Sequence, residues 1–94
     1  MTRKLKLPEL KVADLIERHI YEAKRKARAQ PRGEKEAFVN DREIIAVSTH
    51  HVLFGSPVLK YDWKYMKVSK TKFLKWAGRD VTAEAPKDTW RLWT

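Results

Sequence analysis

The chain contains no cysteine, which excludes disulfides and thiolate metal ligands. Glycine is scarce, and Gly33, Gly55 and Gly78 lie too far apart to build a glycine-rich phosphate loop. Histidine is limited to His19, His50 and His51, and no H-x-x-x-H pair or acidic cation-binding loop is present. No nucleophile motif accompanies them, and no cofactor or metal is expected. No apolar run approaches the ~20 residues that a membrane-spanning helix requires. The basic residues Arg3, Lys4 and Lys6 are not followed by an apolar stretch of the signal-peptide kind, so a cytoplasmic location is the expectation.

What the chain does have is positive charge. Lys and Arg number 21 against 12 Asp and Glu, a formal net charge of +9 with a pI near 10.0. The excess is segregated. Residues 1–33 and residues 56–79 each carry a net +6, while residues 34–55 carry −2 and residues 80–94 carry −1. An ordinary soluble surface mixes its signs more evenly. Two basic blocks point toward an anionic partner, either nucleic acid or an acidic protein surface. The 43% hydrophobic content, with four Trp, three Tyr and three Phe, supports a packed core. The length suits one small domain over residues 1–94, with 1–8 and 31–36 as flexible segments.

The pattern of apolar residues predicts an α+β fold. A long N-terminal amphipathic helix is expected over 9–30, because Val12, Leu15, Ile16, His19, Ile20, Ala23 and Ala27 recur at spacings of three and four. Pro8 would precede it, Asp14–Arg18 and Glu22–Lys26 would be supporting pairs, and Pro31 with Gly33 would end it. This helix would pack on a two- or three-stranded antiparallel β-meander. A short edge strand is expected at 34–39 and a turn at Asn40-Asp41. Residues 42–54 read as a strand from their β-branched content. Asn40 followed by Glu43 also resembles a helix capping box, with Gly55 and Pro57 as its stop.

The clearest strand signal is 58–68, where Leu59, Tyr61, Trp63 and Tyr65 alternate with Lys60, Asp62 and Lys64. A reversal at Gly55-Ser56-Pro57 would set Leu53 opposite Leu59, His51 opposite Tyr61, Thr49 opposite Trp63 and Val47 opposite Tyr65. His50 would then oppose Asp62, and Ser48 would oppose Lys64. Ser69 is the expected N-cap of a short second helix over 69–78. Phe73, Leu74, Trp76 and Ala77 would form its apolar side, Gly78 its C-terminal stop, and Lys72, Lys75 and Arg79 its outer face. A Trp-rich tail closes the chain.

These elements place candidate sites. Lys24, Arg25, Arg28 and Arg32 form one basic patch; Lys60, Lys64, Lys67, Lys70, Lys72, Lys75 and Arg79 form another. Lysines and arginines so grouped contact phosphates with little sequence preference. The expected protein is therefore a non-enzymatic, nucleic-acid-associated one; no recognition-helix spacing or base-reading array is present. Tyr61, Trp63 and Tyr65 are read as core, although exposed sheet aromatics can stack bases. The alternative is a small modulator or inhibitor, of the phage accessory type, acting on a DNA-handling enzyme. Trp90, Leu92 and Trp93 would dock that partner, if they do not dock on their own core. Glu34, Glu36, Asp41 and Glu43 read as a solvated acidic loop. A catalytic His50–Asp62 pair is the least supported reading, and His19 reads as a packing residue.

Overall fold

A computed structural model describes residues 9–31, 33–59 and 65–94. Among these, the chain is mostly β. Its strands are β1 (Ile20–Ala23), β2 (Arg28–Ala29), β3 (Phe38–Val39), β4 (Arg42–Val47), β5 (His51–Gly55), β6 (Met66–Ser69) and β7 (Ala77–Asp80), and its helix is α1 (Lys70–Trp76). Five strands form an antiparallel sheet in the order β6-β5-β4-β1-β7. Helix α1 carries the chain from one edge strand to the other. β2 and β3 form a separate pair, and Leu92 of the tail bridges to Phe38 on its outer side.

The core lies between the sheet and α1. Successive strand residues face opposite ways, so Tyr21, Ile44, Val52 and Phe54 share the face that meets the helix. Phe73 of α1 is 0% exposed and packs edge-on against Tyr21 and Phe54 at centroid distances of 5.6 and 5.9 Å. Burial of each such ring contributes roughly 1.5–3 kcal/mol, and a good aromatic pair adds about 0.5–1.5 kcal/mol. Arg42 joins this face as a cation: its guanidinium lies 4.3 Å from the Phe54 ring centre and 4.1 Å from that of Trp76.

The N-terminal half corrects the sequence reading. The long helix expected over 9–30 is absent; those residues form a 3-10 turn at Val12–Asp14, then β1 and β2. Arg18 adopts φ = 68°, a left-handed conformation that no helix can pass through. A helix would also leave Tyr21 and Glu22 off its apolar stripe, whereas β1 buries both. The Tyr21 hydroxyl donates to the Asp14 carbonyl and accepts the Ile16 N–H, which ties the 3-10 turn to the core. The Glu22–Lys26 pair does form, at 3.4 Å, but across a bend and not along a helix.

The hairpin is corrected as well. Residues 42–54 hold two strands, with a turn in which Ser48 N–H donates to the His51 carbonyl. Val47 therefore pairs with Val52, not Tyr65. His51 pairs with Ser69, and Leu53 pairs with Lys67, not Leu59. The partners assigned to Tyr61, Asp62, Trp63 and Lys64 lie outside the described residues. Tyr65 is 45% exposed and so is not core.

The short helix expected near 69–78 is present, with the Ser69 hydroxyl accepting the Lys72 N–H and Phe73 buried. Gly78 does not stop it by a left-handed turn. It lies in β7, where an added Cβ would stand 3.2 Å from Lys24 Cα. Glycine there serves the close approach of β7 to the end of β1.

Candidate nucleic-acid interface

The two basic blocks of the sequence meet at α1. Lys24 follows β1, and its backbone N–H donates to the Trp76 carbonyl at the end of the helix, at 2.8 Å. That bond sets Lys24 beside Lys75: both line a hollow of about 330 Å³ with Thr71, Leu74 and Glu9. On the other flank, Lys67 and Lys72 line a hollow of about 350 Å³ with His51 and Ser69. Lys72 and Lys75 are three apart on α1, a spacing that places side chains as neighbours on a helix surface. Lys70 joins them at the start of the helix, where its N–H donates to the His50 carbonyl. The result is a run of ammonium groups across α1 and the edge strand that leads into it. Among the described residues, none of Lys24, Lys67, Lys70, Lys72 and Lys75 forms an ion pair.

Not every expected residue belongs to this surface. Arg25 and Arg28 are exposed but line neither hollow, and Arg28 donates to Gln30 at 2.7 Å. Arg32, Lys60 and Lys64 lie outside the described residues. Arg79 is not on the outer face of α1. It sits in β7 opposite Glu22, donates to that carboxylate at 2.8 Å, and is bidentate to Glu84.

Arg79 belongs to a charge network that sequence reasoning missed. Glu22 is 7% exposed and Asp41 0% exposed. Arg91, from the tail, donates twice to Asp41, at 2.7 and 2.9 Å, and once to Glu22, at 3.1 Å. Burial works to raise the Glu22 carboxyl, but hydrogen bonds from Arg91 and Arg79 outweigh it and hold the pKa below its ordinary value. Asp41 and Glu22 raise the Arg91 pKa against an opposing effect of burial. Asp41 is thus a buried anchor, in contrast to the solvated acidic loop expected at 34–43. The signals available were charges 50 to 69 residues apart, which no local pattern connects.

The same network fixes the tail. Val39 N–H donates to the Arg91 carbonyl and Trp93 N–H to that of Ala37, both at 2.9 Å. Trp90 is half-buried against its own domain, while Leu92 and Trp93 remain 53% and 40% exposed.

The histidines are also redistributed. His50 occupies the β4–β5 turn, and Asp62 lies outside the described residues. The imidazole–carboxylate pair that does form is His19 Nδ1 with Asp80 Oδ2, at 2.6 Å, with Asp80 also accepting from Thr82. Burial favours a higher Asp80 pKa, yet the Thr82 and His19 hydrogen bonds hold it below the ordinary value. Among the described residues, no group of three or more His, Asp or Glu side chains is placed to hold a metal ion. No described helix is long and apolar enough to cross a membrane. Comparison with protein-family models, with curated proteins and with solved structures returned no match.

Proposed function

We propose that the protein is a non-enzymatic nucleic-acid-binding protein that meets the phosphate backbone with the lysines around α1, in a cytoplasmic setting. The observation that carries this reading is the convergence of Lys24 with Lys75, next to Lys72 and Lys67, without an ion-pair partner among the described residues. Lysine supplies compact, strongly hydrated point charges on flexible stems, suited to phosphate and poorly suited to reading base edges. Affinity with little sequence preference follows.

The test is a fluorescence-anisotropy titration of labelled single- and double-stranded DNA and RNA across a salt series. Each phosphate contacted should contribute about −0.7 to −0.9 to the slope of log K against log salt. Reversing Lys24, Lys72 and Lys75 to glutamate should flatten that slope by about two units or more and weaken binding to every sequence alike. An unchanged slope in a folded triple variant would refute the reading.

A second reading, a protein-binding modulator of a DNA-handling enzyme, draws on the exposure of Leu92 and Trp93. Deleting the tail would remove Arg91 and confound the result. Leu92→Ser with Trp93→Ser leaves Arg91 in place and is the cleaner test of partner binding.

A further inference from the structure

Beside the lysines of the α1 surface stands a titratable group of another kind. His51 lines the hollow of about 350 Å³ together with Lys67, Ser69 and Lys72. Strand register puts it there. His51 pairs with Ser69, and Leu53 pairs with Lys67. Directly paired residues share a face of a sheet, and so do residues two apart. His51, Lys67 and Ser69 therefore project together, away from the face on which Val52 and Phe54 meet α1. Lys72 comes to the same hollow from the helix, because Ser69 is both the last residue of β6 and the N-cap of α1.

The polar groups of this hollow are available to a ligand. His51 makes its hydrogen bonds with its backbone: its N–H donates to Ser48 Oγ, and its carbonyl accepts from Ser48. Among the described residues its imidazole, like the Lys67 and Lys72 ammonium groups, has no hydrogen-bond or ion-pair partner. Ser69 Oγ accepts from the Lys72 N–H, which leaves its own proton to donate. The charged and titratable residues around His51 on neighbouring elements are Lys67 of β6, Lys70 and Lys72 of α1, and His50 of the β4–β5 turn. On the β4 side, Ala46, Val47 and Ser48 line an adjoining hollow with His51 and Lys67. Among the described residues, no carboxylate lines either hollow.

A phosphate oxygen accepts from ammonium, hydroxyl and imidazole N–H groups alike. About 350 Å³ lies at the lower end of the range for small-ligand sites. Lysine keeps its charge throughout the neutral range, whereas histidine changes its charge between about pH 5 and pH 8. An imidazolium among lysines gains a counter-charge when a phosphate enters. A proton and a phosphate then strengthen each other's binding by the same factor.

We infer that His51, with Lys67, Ser69 and Lys72, holds a backbone phosphate of the bound nucleic acid, and that protonation of its imidazole tightens that hold. The inference rests on the phosphate contact proposed for the α1 lysines and adds to it one ligand and one means of regulation.

The probes are rhodamine-labelled oligothymidine and a rhodamine-labelled DNA duplex, titrated by anisotropy at constant ionic strength from about pH 8 to about pH 5.5. Affinity for the probe that binds should rise about five- to tenfold on acidification, and the salt slope should steepen by up to about 0.9. His51→Gln keeps a hydrogen-bonding side chain that takes up no proton, and it should remove most of that rise. His50→Gln and His19→Gln should retain it. By NMR of the unaltered protein, the His51 ring should titrate at higher pH with oligonucleotide than without. Absence of the rise, its survival in a folded His51→Gln variant, or a His51 titration that nucleic acid does not move would overturn the inference and leave the lysine contact standing. Inorganic phosphate that moves the His51 titration as far, at equal phosphate concentration, would assign the hollow to free phosphate and overturn it as well. If neither probe binds at low salt at any pH, the phosphate-binding reading itself fails and this inference falls with it.

Discussion

The two faces of the sheet at β1 are held by different chemistry. Tyr21 points to the α1 side and meets Phe73 among aliphatic neighbours. Glu22, one residue on, belongs to the other face and meets Arg79 and Arg91. The first face gains from apolar area removed from water, a term that degrades gradually as side chains are trimmed. The second depends on matched partners, because a buried charge left alone costs more than the pair contributes. The same contrast separates the cations by task. Arg42 and Arg91 are spent inside the fold, on rings and on a buried carboxylate, while Arg79, 43% exposed, pairs with carboxylates at its edge. The lysines of the α1 surface are left for solvent or a ligand, as expected if arginine serves buried forks and lysine serves exposed point charges.

The largest expected effect is on the apolar face. Phe73→Ala should cost about 3–5 kcal/mol, since the ring is completely buried and touches three other aromatics. Urea unfolding would measure it. In a domain of this size a loss that large can remove the folded state altogether. A cost under about 1 kcal/mol would mean that α1 is not what closes the core.

On the ionic face, Arg91→Met should cost about 3 kcal/mol, by leaving Asp41 and Glu22 without their shared cation. Adding Asp41→Leu should recover part of that loss, because the second substitution removes the orphaned charge. The double-mutant cycle separates the two chemistries: strong non-additivity is the mark of a pairing site. If Arg91→Met and Asp41→Leu simply add, the tail is held by its backbone bonds to β3 and the charges are incidental.

How much of this could be read in advance follows the same division. The helix was legible because its signals are local: a Ser69 cap and apolar residues at Phe73, Leu74, Trp76 and Ala77. A turn in this region was legible only in part: it spans Ser56 to Leu59, where Leu59 N–H donates to the Ser56 carbonyl, and Gly55, expected within the reversal, is the last residue of β5. The strand it was expected to launch pairs with β5 only from Met66 onward. Residues 9–30 misled because Val12, Leu15 and Ile16 carry a genuine three-and-four spacing, while the decision against a helix is made by the long-range burial of Tyr21. The lysine surface was half legible. Composition named Lys72 and Lys75, but only the sheet order brings Lys24 to them.

The smallest expected effect is a dependence on acid that should track the ionic face alone. Glu22 and Asp80 both have pKa values held below their ordinary 4.5 and 3.8 in the folded protein. A carboxyl with a depressed folded pKa binds fewer protons folded than unfolded. Its contribution is therefore complete above the unfolded value and is lost as pH falls through the folded one. Thermal stability should be nearly level from pH 7 to 5 as far as these two groups are concerned, then decline below about pH 4.5. Glu22→Gln should lower the plateau, because Arg79 and Arg91 lose a charged acceptor, and should also make the acid decline shallower. Phe73→Leu, a milder change on the opposite face, should lower the plateau and leave the shape of the decline as it was. If both variants decline in parallel with the unaltered chain, Glu22 is not where the acid sensitivity resides, and Asp80, held by Thr82 and His19 on β7, becomes the group to substitute next.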